Sequence, residues 1–184
     1  MRRTPRLAAA AAVTAALGAT AAVAPLAASA ASRVTVRRVA LARGLRRPIA
    51  AIERLTTVPV LLPDEVLIDV PRGHGVEQKW SANRRGWQIS LGIGPRCGGA
   101  NACFVGQFTA ARGGRLTFRT RVRLHGGTIG RYKPSTCGAS CSPPEIQWKV
   151  RDVLYDVQFR AAGSGSDKQK LVAIADSALA AGPR

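Results

Sequence analysis

The strongest constraint on this chain is a period of two. From Glu145 onward, Ile146, Trp148 and Val150 alternate with Glu145, Gln147 and Lys149. Arg151-Asp152 then makes a tight turn, and Val153, Tyr155, Val157 and Phe159 alternate back. Successive residues of a strand face opposite sides of a sheet, so the segment predicts an antiparallel hairpin with one apolar and one polar face. The same pattern recurs at Val66, Ile68 and Val70, and at Trp87, Ile89, Leu91 and Ile93. It is sharpest from Arg115 to His125. There Leu116, Phe118, Val122 and Leu124 share one face, and Arg115, Arg119, Arg121, Arg123 and His125 take the other. No internal repeat and no parallel crossover is visible, which points to a one-sided antiparallel sheet.

Two segments carry a helical period instead. Pro48 suits the first helical position, Ile49, Ile52 and Leu55 follow at helical spacing, and Pro59 stops the run. Val60-Leu61-Leu62-Pro63 is extended, and Pro63 keeps it out of a central strand. Ser166 with Gln169 forms a capping-box signature for a last helix lined by Leu171, Ile174, Ala175 and Ala178 and ended by Gly182-Pro183. The expected fold class is α+β, a single antiparallel sheet with an N-terminal and a C-terminal helix packed on one face.

Residues 1–30 read as a signal peptide. Arg2, Arg3 and Arg6 precede an uncharged run from Leu7 to Ala24, Pro25 breaks it, and Ala28-Ser29-Ala30 suits cleavage before Ala31. The run is mostly alanine with no stop-transfer pattern, which argues against a retained membrane span. The Arg2-Arg3 pair raises the twin-arginine route, although the rest of that signal is missing, and the first cysteine lies too far on for a lipoprotein. Residues 31–47 hold Arg33, Arg37, Arg38, Arg43, Arg46 and Arg47 with no acid, and are expected to form a flexible basic arm. Residues 48–184 form the expected secreted domain, at the cell surface or in the periplasm.

Four cysteines agree with export. They fall in two close pairs, Cys97 with Cys103 and Cys137 with Cys141, and an even count in an exported chain reads as disulfides. Of three possible connectivities, the two local pairings suit the glycine-rich spacers. A four-cysteine zinc site is the rival, disfavoured by the spacings and by an oxidising compartment.

A set of motifs now stands out: Thr57-Val58-Pro59-Val60-Leu61-Leu62-Pro63, Ile89-Ser90-Leu91-Gly92, Ala102-Cys103, Gly130-Arg131-Tyr132, and most specifically Cys137-Gly-Ala-Ser-Cys141. Ile146-Gln-Trp148, Tyr155 and Leu171 through Ile174-Ala175-Asp176-Ser177-Ala178 follow. Over residues 48–181 the chain resembles an uncharacterised family of bacterial exported proteins. Its closing tryptophan, tyrosine and Leu-x-x-Ile-Ala-x-Ser pattern is similar to a domain of unknown function at the C-termini of extracytoplasmic proteins. The resemblance implies compartment and fold, and carries no activity.

Signals for chemistry are thin. His74 and His125 both fall near turns, and no Gly-x-Ser-x-Gly elbow or histidine-spaced metal motif is present. Gly92-Ile-Gly94 opens like a dinucleotide fingerprint, but Cys97 stands at the third glycine and no helix follows. No catalytic residue, cofactor or metal is therefore assigned. Charge remains: 28 basic residues face 10 acidic ones, for a net +18. Three of those charges leave with the signal peptide. Arg112, Arg115, Arg119, Arg121, Arg123, Arg131 and Lys133 make a stretch without an acid. Like charges aligned on one sheet face repel, and an anionic partner relieves that cost. The anion-binding candidates are thus Arg115, Arg119, Arg121, Arg123, Arg131 and Lys133. Their expected partners are anionic lipid, wall polymer or acidic protein. Specific nucleic-acid binding is not expected, because no aromatic residues interleave the arginines. The alternatives are an accessory protein-interaction domain without an anionic ligand, an ordinary solvated outer face and, less favoured, an envelope hydrolase.

Overall fold

The computed structural model describes residues 34–95 and 103–184. The expected signal peptide, Arg33 and Cys97 lie outside them. Seven strands build the main sheet: β3 (Val76–Asn83), β4 (Gly86–Ile93), β5 (Phe104–Arg112), β6 (Thr120–Arg123), β7 (Ile129–Lys133), β10 (Glu145–Val150) and β11 (Val153–Phe159). Their order is β3-β4-β5-β11-β10-β7-β6, and every neighbouring pair is antiparallel. Two small ribbons accompany it. One pairs β1 (Val34–Ala40) with β2 (Glu65–Pro71), and the other pairs β8 (Thr136–Cys137) with β9 (Cys141–Ser142). The expected antiparallel sheet is present, but it is not the single sheet anticipated.

The inner face is made by the residues that the period of two selects. Ile146 pairs with Val157 and Trp148 with Tyr155, while Val157 pairs with Phe108 and Ile89 with Phe108 from the other side. All six are buried. The Trp148 and Tyr155 rings stack at 5.6 Å with their planes 13° apart. The Tyr155 hydroxyl donates to the carbonyl of Pro59 (3.1 Å), which also accepts from the Trp87 indole (3.2 Å). These two bonds fasten the extended Val58–Pro63 run over the aromatic cluster and satisfy both buried polar tips.

Three helices complete the core: α1 (Leu41–Gly44), α2 (Arg46–Leu55) and α3 (Asp167–Ala181). Helix α2 begins at Arg46, two residues before the expected start at Pro48, buries Pro48, Ile49 and Ile52 and packs against β3. Helix α3 buries Leu171, Ile174, Ala175 and Ala178 and packs against β10 and β11. The capping box at α3 forms as the sequence predicts. Ser166 Oγ accepts from the Gln169 amide, and Gln169 Oε1 accepts from the Ser166 amide at 2.8 Å.

Two expectations are overturned. Residues 34–47 are not a flexible arm. Val34–Ala40 pairs with β2 over seven registers, Arg38 forms an ion pair with Glu65, and Leu41 and Leu45 are each 1% exposed. The segment escaped notice because β1 shows solvent most of its side chains and is held by backbone ladder bonds, which leave no hydrophobic period. The strand expected from Arg115 to His125 is confined to Thr120–Arg123. Its first half is instead a strap, residues 113–119, crossing the outer face of the sheet. Strands β5 and β6 stand four strand spacings apart, roughly 19 Å, and seven extended residues reach about 23 Å, so the connection has little slack. Crossing the sheet takes precedence over pairing with it.

Candidate functional site

The outer face carries the residues that the inner face rejects, and the strap divides it. Gly114 lies against Leu154 of β11, where a Cβ would come within 2.7 Å of the leucine side chain. Thr117 then donates twice to Gln147 Oε1 of β10, from its amide at 3.0 Å and from its hydroxyl at 3.1 Å. The Phe118 ring ends beneath the Lys133 ammonium of β7, 5.5 Å from the ring centre. Under this cover Gln147 is buried although it belongs to the polar face, and its Nε2 donates to Asp156 Oδ2 at 2.6 Å. Burial raises the Asp156 carboxyl to about 6, and Glu145 adds to the rise, while the Gln147 bond and Lys133 oppose it.

The basic candidates separate into three groups. Arg121 and Arg123 are exposed on the outer face of β6, and Arg121 is the direct register partner of Arg131 on β7. The Arg131 guanidinium donates to the backbone carbonyl of Arg119 at 2.8 Å, so the end of the strap brings a fourth arginine, itself exposed, to the same edge. Arg115 sits apart, early in the strap beside the β11 end of the crossing. Lys133 is half-buried and already paired, at 2.8 Å from Glu145. Among the described residues, the side chains of Arg119, Arg121 and Arg123 have no acidic partner. Exposed Ile129, the register partner of Arg123, and Lys149, one strand further on, extend this edge without adding an acid.

Among the described residues, neither histidine ring hydrogen-bonds to an acid or a nucleophile. His74 is exposed, with Nδ1 3.3 Å from the carbonyl of Arg72. His125 is exposed and meets Asp176 through its backbone amide, at 2.6 Å, rather than through its ring. Among the described residues no group of three or more His, Cys, Asp or Glu could hold a metal ion, and no helix is long and apolar enough to cross a membrane. Cys137 and Cys141 are disulfide-bonded and close the β8–β9 hairpin. Cys103 is also disulfide-bonded, and Cys97, its expected partner, lies outside the described residues.

With the geometry in view, comparison with known proteins adds no constraint: no family model, no curated protein and no solved structure matches the chain. The described residues that carried the resemblance to exported proteins are mostly structural. Trp148, Tyr155, Leu171 and Ala175 are core, and Cys137 and Cys141 form a bridge. Sequence reasoning missed Gln147 and Asp156. Their burial comes from the strap, and a strap read as a strand cannot bury them.

Proposed function

We propose that the chain is an exported, non-catalytic binding module that docks on anionic envelope components through Arg119, Arg121, Arg123 and Arg131. The observation that carries this reading is the meeting of four arginines at one sheet edge, three of them exposed and lacking any carboxylate partner. Like charges in register across neighbouring strands repel, and phosphate or carboxylate oxygens, which match the planar fork of arginine, remove that cost. The disulfide, the signal-like first thirty residues and the resemblance to exported proteins support an extracytoplasmic setting.

Co-sedimentation of the oxidised chain beginning at Ala31 tests the reading. Vesicles containing phosphatidylglycerol, neutral vesicles and purified anionic wall polymer serve as separate arms, so lipid and polymer are told apart. Binding to one anionic arm is expected at low salt and is expected to fall sharply above about 0.15 M, where the Debye length shrinks to about 8 Å. Arg119→Gln, Arg121→Gln and Arg123→Gln combined should abolish it. Equal binding by that triple variant, or no binding to either anionic arm, removes the proposal. Capture of a protein partner regardless of salt would favour the accessory-domain reading in its place.

A further inference from the structure

The other end of the outer face holds a cleft of about 630 Å³, within the range of small-molecule sites. Its floor is the outer side of β3, β4, β5 and β11, and the disulfide hairpin at Ser140–Pro143 forms one wall. The strap does not reach it. The nearest floor strand, β11, stands two strand spacings, roughly 10 Å, from β7 and three, roughly 14 Å, from β6.

The floor is a prearranged set of amides and hydroxyls. Gln88 Nε2 donates to Gln107 Oε1 at 3.0 Å and to Ser90 Oγ at 3.2 Å, and the Ser90 hydroxyl donates to Gln107 Oε1 at 3.3 Å. Gln158 Nε2 donates to Ser142 Oγ on the wall, at 3.0 Å, and to Glu145 Oε1. These bonds hold the side chains in place while leaving Gln107 Nε2 as a donor, and Gln88 Oε1 and Gln158 Oε1 as acceptors, directed by their own network. Among the described residues, the charged groups of the lining, Glu77 and Lys79, balance. Half-buried Phe104 adds apolar surface at its margin.

We infer that this cleft binds a neutral, polyhydroxylated ligand, a mono- to disaccharide unit of a glycan. Three features select that chemistry. Interleaved donors and acceptors suit hydroxyl groups, which both give and accept hydrogen bonds. The balanced lining offers an anion no net attraction. The floor strands β4, β5 and β11 are each paired on both sides, so they have no backbone groups to offer a peptide strand, which would add at the β3 edge instead. The inference is independent of the arginine edge.

The test uses the oxidised chain beginning at Ala31 on an array of immobilised neutral di- and trisaccharides, read at about 0.5 M salt, where the Debye length is only a few ångströms. Wild type should bind at least one neutral glycan. Gln88→Ala and Gln107→Ala should each weaken that binding about tenfold, the effect of losing one well-placed hydrogen bond and its partner's satisfaction. The triple arginine variant should bind the same glycan as wild type does. Gln88 is exposed, so its variant reports even if Gln107→Ala fails to fold, and an unchanged melting temperature confirms that each variant is intact. No neutral glycan bound, wild-type binding by folded Gln88→Ala, or loss in the arginine variant overturns the inference.

Discussion

At the scale of single residues, the most consequential group is Asp156. Its carboxyl lies under the strap with its pKa raised to about 6, first by burial and then by Glu145, with Lys133 and the Gln147 amide pulling the other way. A folded-state pKa above the unfolded value favours the protonated form in the native protein. The stability this contributes is fully present below about pH 4 and is lost as pH rises through about 6. About two pKa units correspond to at most about 3 kcal/mol. Asp156→Asn keeps an oxygen to accept from Gln147 and removes the charge. It should melt with wild type below about pH 4 and several degrees higher at pH 7 to 8, as thermal unfolding across that range will record. A difference that does not grow with pH would show that Asp156 is not held against ionisation. Gly106 makes a second residue-scale case. It is the register partner of Phe159 on the inner face, and a Cβ there would come within 2.0 Å of the buried ring. Gly106→Ala therefore overpacks the core and should lower stability by about 1–3 kcal/mol in urea denaturation. A neutral result would mean that Phe159 can turn aside.

At the scale of elements, local signals decided what could be read in advance. Helix α3 was legible because its cap and its buried stripe agree. Ser166→Ala leaves an amide of the first turn without its acceptor and should cost about 1 kcal/mol, measurable as a lower denaturation midpoint with unchanged slope. Hairpin β10–β11 was legible for the same reason, since its turn and its alternation coincide. Strands β3, β5 and β7 were not. Gly106 and Ala110 blunt the inner face of β5, Gly130 does so in β7, and β3 is a sheet edge whose Trp80 remains 40% exposed. Their membership in the sheet depends on neighbours distant in sequence. The site shows the same division. That Arg119, Arg121, Arg123 and Arg131 share an edge follows in part from alternation, but the pairing of Lys133 with Glu145 and the separation of Arg115 follow from β10 lying beside β7 and from the strap. The cleft was invisible because its glutamines come from strands β4, β5 and β11, and none of them stands out singly.

At the scale of the whole molecule, the same considerations redraw where the folded unit begins. Charge alone made residues 31–47 resemble a tail. Yet Leu41 and Leu45 are as buried as the central aromatics, and the Leu41 amide donates to the carbonyl of Asp64 at 2.9 Å, tying the entry of α1 to the end of the extended run. Removing β1 also strips β2 of its ladder partner, leaving Val66, Ile68 and Val70 on a strand with a newly open edge. A chain beginning at Pro48 thus loses two core leucines, each worth about 2–5 kcal/mol on truncation to alanine, from a total stability of the order of 5–15 kcal/mol. It should be largely unfolded or aggregated at temperatures where a chain beginning at Ala31 melts cooperatively. Leu41→Ala with Leu45→Ala in the longer chain should reproduce most of that loss without touching the arginines. Circular dichroism melts of the three proteins side by side check this. If the Pro48 chain melts at the same temperature as the longer one, the first strand and helix are an appendage and the core is complete without them. If the double leucine variant loses most of that stability, the segment is held by its buried leucines and its ladder with β2, and its arginines are outward side chains of a folded strand and two helices.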